Sequence, residues 1–138
     1  MRRLIGVALV ATLGVAAAGC DPQTANTTPP TTPTVPVTES FSGTVTVNGA
    51  QQFAFLALSS GFVQATIKTF GPETDLKVGL AIGTFNGVTC QQVLVNDAAG
   101  QGITVTGSVA TAANLCVRIY DVGQLTQANS FEITVIHP

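Results

Sequence analysis

Charged side chains are scarce: Asp, Glu, Lys and Arg make up 9% of the 138 residues, against about 25% in ordinary soluble domains. Tryptophan is absent, and tyrosine and histidine occur once each. After Ala16 there is no long apolar run, and no stretch carries the 3.6-residue period of an amphipathic helix. These shortages exclude several functions. Beyond Arg3 the only basic residues are Lys68, Lys77 and Arg118, so no patch exists to neutralise phosphates, and nucleic-acid binding is excluded on electrostatic grounds. The one histidine, His137, sits in a C-terminal tail expected to fray. It offers a serine nucleophile no base, and there is no Gly-x-Ser-x-Gly elbow. The glycines fall at turns and form no loop to cradle phosphates, and no cofactor is expected.

What is present begins with a leader. Arg2-Arg3 precede an apolar run from Leu4 to Ala16. As a helix this run spans about 20 Å, short of the roughly 30 Å hydrocarbon core. It reads as a signal segment, residues 1–19, and not as a membrane span. Without Arg2 and Arg3 the chain keeps three basic residues against seven acidic ones, a side-chain sum of about −4. Residues 20–40 follow as a linker with Pro22, Pro29, Pro30, Pro33 and Pro36 among many threonines. Such a stretch buries too little to fold and is biased to polyproline II. At about 3.1 Å per residue it reaches at most roughly 60 Å. It reads equally as a stalk, open to O-glycosylation, or as a spacer with no specific role.

Residues 41–138 change to period two. Phe41 to Val47 alternates apolar and hydroxyl residues, and Asn48-Gly49 makes a tight turn. Further strands are expected at Gln52–Leu58, Phe62–Phe70, Asp75–Ile82, Thr89–Val95, Ile103–Val109, Leu115–Asp121 and Phe131–Ile136. Gly71-Pro72 and Asn86-Gly87 mark turns, residues 96–100 a loop, and Ala112-Ala113-Asn114 a short turn. Eight short strands with turns every eight to twelve residues imply an all-β fold, an antiparallel, jelly-roll-like β-sandwich. In an exported chain with Cys20 modified, Cys90 and Cys116 form an even pair and suggest a disulfide. Closing that loop would contribute roughly 3.5 kcal/mol on the chain-entropy account; two free thiols are the alternative. Glu73 and Asp75 read as solvated loop charges. Asp97 and Asp121 are the weak candidates for Ca²⁺ with loop carbonyls. Arg118 has Asp121 and Glu132 as candidate ion-pair partners.

Two resemblances add to this reading. Ala17-Ala18-Gly19-Cys20 resembles the lipobox of bacterial lipoproteins, with Ala17 where Leu is commoner. The resemblance implies diacylglycerol on the Cys20 thiol, cleavage before Cys20 and a lipid-anchored, extracytoplasmic domain; an ordinary signal peptide with a chance cysteine is the alternative. Two acyl chains hold a protein firmly where one is marginal. Asp21 resembles the inner-membrane retention signal of enteric lipoproteins, a lineage-specific rule that leaves the membrane open.

Residues 41–138 resemble bacterial pre-peptidase C-terminal domains, β-sandwich modules of secreted proteins. The match lies in Phe41-Ser42-Gly43-Thr44-Val45, Phe53-Ala54-Phe55, Thr74-Asp75-Leu76-Lys77-Val78, Leu115-Cys116-Val117-Arg118-Ile119-Tyr120-Asp121 and Phe131-Glu132-Ile133-Thr134-Val135. This implies a non-catalytic accessory module. Collagen-binding relatives hold Ca²⁺ through an acidic N-terminal segment, which the Thr/Pro linker replaces here, so neither ligand transfers to any residue. The expectation is a lipid-anchored envelope protein presenting a binding module for a protein or glycan. A structural envelope lipoprotein without a ligand is the alternative, and an enzyme or hydrolase accessory a remote third.

Overall fold

The computed structural model describes residues 34–138, so the leader, Cys20 and most of the linker lie outside the described residues. Eight strands follow in order: β1 (Val37–Val45), β2 (Ala50–Ala57), β3 (Gly61–Gly71), β4 (Val78–Phe85), β5 (Cys90–Ala99), β6 (Thr104–Val109), β7 (Ala113–Asp121) and β8 (Asn129–His137). They form two four-stranded antiparallel sheets, β1-β8-β3-β6 and β2-β7-β4-β5. β1 pairs with β8, β2 with β7, β3 with β6 and β4 with β5, the winding of a jelly roll. No helix occurs among the described residues, so none there is long and apolar enough to cross a membrane.

Period two explains the core. Along β8, Phe131, Ile133 and Val135 point inward and are buried; along β3, Val63, Ala65 and Ile67 do the same. Leu115, Val117 and Ile119 of β7 face them across the sandwich. Each of these side chains larger than alanine contributes about 1.5–3 kcal/mol by leaving water. A bulge at Lys68, where β3 slips its register against β8, keeps Phe70 on the inner side. Phe41, Phe53 and Phe131 close one end, the first two stacked at 5.1 Å and the second pair edge-on at 6.1 Å.

Several boundaries differ from the expectation. β1 begins at Val37 and not at Phe41, because β8 continues to His137 and offers a partner to every residue back to Val37. β5 runs through residues 96–99, expected as loop, because Val78 and Leu80 of β4 pair with Ala99 and Asn96. β7 takes Ala113 and Asn114 out of the expected turn by pairing them with Ala57 and Leu56. β4 starts only at Val78, since the N–H groups of Glu73 and Lys77 are taken by the side chains of Asn129 and Gln124, and those of Thr74 and Leu76 by turn carbonyls. Asn48-Gly49 does turn the chain, with Asn48 in the left-handed region at φ 56°. The strands it joins lie in different sheets.

The two outer faces differ in kind. In the β2-β7-β4-β5 sheet, β4 presents Gly79, Ala81 and Gly83 outward, and all three are buried. A Cβ at Gly79 would sit inside the Tyr120 ring, and one at Gly83 would meet the Gln91 carbonyl. The β4–β5 hairpin therefore folds back over its own sheet. Gln52 fastens it, donating from Nε2 to the Val88 carbonyl at 2.9 Å and accepting from the Cys90 N–H at 3.0 Å. The Cys90–Cys116 disulfide lies beneath, with both residues buried. Replacing both cysteines by alanine is expected to lower unfolding free energy by about 3 kcal/mol, read as a shift in the denaturant midpoint; an unchanged midpoint would show that the crosslink adds nothing.

Candidate functional site

Most polar groups that sequence reading singles out serve the fold. Asp121, at the end of β7, accepts through Oδ1 from the backbone N–H groups of Gly123, Gln124 and Leu125 at 2.8, 2.9 and 3.1 Å, and through Oδ2 from that of Asn48 at 2.8 Å. Burial would raise its pKa, but these four donors outweigh burial and hold it below its ordinary value. Asp121 thus ties the β1–β2 turn to the β7–β8 loop, its charge already met by backbone dipoles. Asp97, on β5, accepts a short hydrogen bond from the Tyr120 hydroxyl. The two Ca²⁺ candidates are engaged separately, and among the described residues no group of three or more His, Cys, Asp or Glu side chains is placed to hold a metal ion.

Tyr120 lies across Gly79 to reach from β7 to Asp97 on β5. Desolvation, then the hydrogen bond and the negative charge of Asp97, push its phenol up to about 12. Arg118 stands 5.7 Å from the centre of the same ring, its Nε buried without a hydrogen-bond partner. The expected Arg118 pair with Asp121 or Glu132 is not formed; the guanidinium packs on the ring that covers the glycine.

Glu73 is no solvated loop charge. It accepts from the Thr126 hydroxyl, the Thr126 N–H at 3.1 Å, the Gln127 N–H at 3.4 Å and the Asn129 amide at 2.9 Å. Asn129 is fully buried and accepts in turn from the Glu73 N–H at 2.6 Å. The Thr126 hydroxyl leads in lowering the Glu73 pKa; desolvation opposes it, and the Asn129 amide and the two backbone donors add to the lowering.

His137 does not fray. It is 2% exposed, its Nε2 lies 2.9 Å from Glu39 Oε1, its Nδ1 3.3 Å from the Pro138 carbonyl, and its ring 5.0 Å from that of Phe55. Extending two alternations would have found it: Glu39 follows Phe41 backward on the inner side of β1, and His137 follows Val135 forward on that of β8. Paired with a carboxylate and a carbonyl, this imidazole closes the sandwich and has no nucleophile beside it.

The open surface is the outer face of the β1-β8-β3-β6 sheet. Its rows run across all four strands: Ser40, Thr134, Thr66 and Thr104 form one, and Thr38, Ile136, Gln64 and Thr106 the next. Thr66 and Thr104 are linked hydroxyl to hydroxyl at 2.7 Å. At the β3 end Phe62 stands 76% exposed. Beside it lies a groove of about 270 Å³ lined by Thr34, Pro36, Ser60, Gln64, Ile136 and Pro138. Comparison with protein-family models and with curated proteins gives no match. A second, apolar cleft of about 110 Å³, between β5 and β6, lies well below the 300 Å³ from which ligand pockets usually start. Sequence reading missed the open face because no single strand displays it; only the pairing of β1, β8, β3 and β6 assembles the rows.

The carboxylates carry a pH signature. Both folded-state values lie below the ordinary 4.5 of Glu73 and 3.8 of Asp121. Their stabilisation is therefore present above those values and lost as pH falls through the lower folded ones. Glu73→Gln is expected to flatten the acid limb of a stability-against-pH curve; an unaltered limb would remove Glu73 from this role. Tyr120 works oppositely: with its pKa raised from 10 to about 12, stability is full below about pH 10 and declines towards 12. As the only tyrosine, it can be titrated by ultraviolet absorbance, and Asp97→Asn should bring the midpoint down.

Proposed function

We propose that the chain is a lipid-anchored envelope protein that presents a non-catalytic β-sandwich for binding. The lipobox-like Ala17-Ala18-Gly19-Cys20 supports the anchor, and the Thr/Pro-rich stretch that follows supports a tether. The resemblance to pre-peptidase C-terminal domains supports an accessory role. The fold alone carries no function.

The observation that favours contact over turnover is how the polar groups are spent. Asp97, Asp121, Glu73 and His137 hold strands and loops together, whereas the Ser/Thr face has no task inside the domain. A catalytic site needs a base or nucleophile with a free lone pair directed at a substrate. A binding face needs only accessible, pre-ordered groups, and a sheet supplies them.

On this reading Cys20→Ala abolishes lipid labelling and shifts the protein from the membrane to the soluble fraction, because two acyl chains anchor and none does not. Retention of the variant in the membrane fraction would reject the anchor.

A further inference from the structure

We infer that the outer face of the β1-β8-β3-β6 sheet is a binding site for an uncharged polysaccharide, with the Phe62 ring as its stacking platform. This rests on the reading of the domain as a binding module and names its site and ligand class.

Three properties of the face select the ligand. First, its charge is low and balanced. Of the outward side chains between Thr38 and Ile136 on these four strands, only Lys68 and Glu132 are ionised, and they have opposite sign. An ionic polymer would gain nothing from steering or pairing, whereas a neutral one loses nothing. Secondly, apart from Phe62, Gln64, Ile136 and those two charges, the outward residues are serine and threonine. Hydroxyls donate and accept at will, and so do those of a sugar. A protein partner would find little apolar surface to bury at the centre of the patch, where protein interfaces place aromatic and aliphatic anchors.

Thirdly, the one large apolar group that stands out is an aromatic ring. Phe62 is 76% exposed on a strand whose inward neighbour Val63 is 1% exposed. Such exposure leaves the whole ring face free for the C–H face of a sugar. The groove beside it brings the Ser60 hydroxyl and the Gln64 amide within reach of the same ligand. At about 270 Å³ it is small for an enclosed ligand, but it opens onto the flat rows. Strands about 4.8 Å apart repeat the hydroxyls along those rows. A groove that opens onto a ladder of repeated groups suits a polymer, which can occupy one subsite with a stacked ring and several with hydrogen bonds.

The opposite sheet is covered at its centre, while Leu56 of β2 and Val88 and Val95 of the β4–β5 hairpin stay exposed. There Tyr120, Arg118 and the β4–β5 hairpin cover β4, and the small residues beneath are out of reach. The middle of one sheet is covered by its own chain, and the other sheet has no such cover.

The test uses the full lipidated chain in detergent micelles and measures depletion onto insoluble cellulose, chitin and a (1→3)-β-glucan, with alginate and heparin resins as charged probes. Binding to at least one neutral polymer is expected, nearly independent of salt because no ion pair is involved. Phe62→Ala should weaken it about tenfold or more, as loss of a central aromatic anchor does. Thr66→Val with Thr134→Val keeps the β-branched shape, removes two hydroxyls and should weaken binding too. A denaturation midpoint close to that of the unaltered chain shows each variant folded. No binding to any neutral polymer, a preference for the charged resins, or affinity untouched by both sets of variants would overturn the site. So would a dimer that Phe62→Ala dissolves in a chain that ignores the polymers, since the face would then bind a second copy. Fractionation of the same variants reads the anchor separately: a chain still held by Cys20 that binds no glycan loses this inference alone.

Discussion

Everything in the domain depends on removing one side of each strand from water. The inward rows of β3 and β8, with Val63, Ile67, Ile133 and Val135, meet those of β7 and β4, with Val117, Ile119, Leu80 and Ile82, and this burial is the main force holding the two sheets together. Because the side-chain period is two, a slip of one residue in any strand would turn its apolar row to solvent. Register is therefore fixed by burial, and every outward residue is fixed with it. The threonine rows are an ordered array because the valines and isoleucines behind them are locked.

The polar groups inside this frame follow a common logic. Each is buried or half-buried at an end of the sandwich, and each satisfies backbone groups that a sheet leaves open where strands stop. Asp121 receives the amides of its loop, Glu73 those of residues 126 and 127, and Asn129 the Glu73 N–H. His137 meets the Pro138 carbonyl and pairs with Glu39 where β1 and β8 begin and end together. In a chain so poor in charge, Glu39, Glu73, Asp97 and Asp121 all have structural assignments. This leaves the surface to neutral hydroxyls and shapes what it can recognise.

The disulfide and the covered glycines give the sandwich its asymmetry. Small residues at Gly79 and Gly83 let Tyr120 and the β5 backbone approach β4 closely, and the Cys90–Cys116 bond holds that approach in place. The opposite sheet has no such cover. Hydroxyl side chains need none, because water satisfies them, and a ligand that offers the same hydrogen bonds exchanges with that water at little loss.

The amino-acid sequence alone determined the fold class, the eight strands and the inward positions of most of them, because alternation is a local property; it suggested the pairing of Cys90 with Cys116, which the structure shows. Glu73, Asn129 and His137 were misjudged or missed, since whether a polar residue is solvated depends on a partner far along the chain: Asn129 for Glu73, Glu39 for His137. Strand ends were decided the same way, by how far the neighbouring strand ran. Only the tertiary structure decided which sheet is covered at its centre and which is open, because a face belongs to four strands drawn from both ends of the chain. Their hydrogen-bonded order exists nowhere in the linear text.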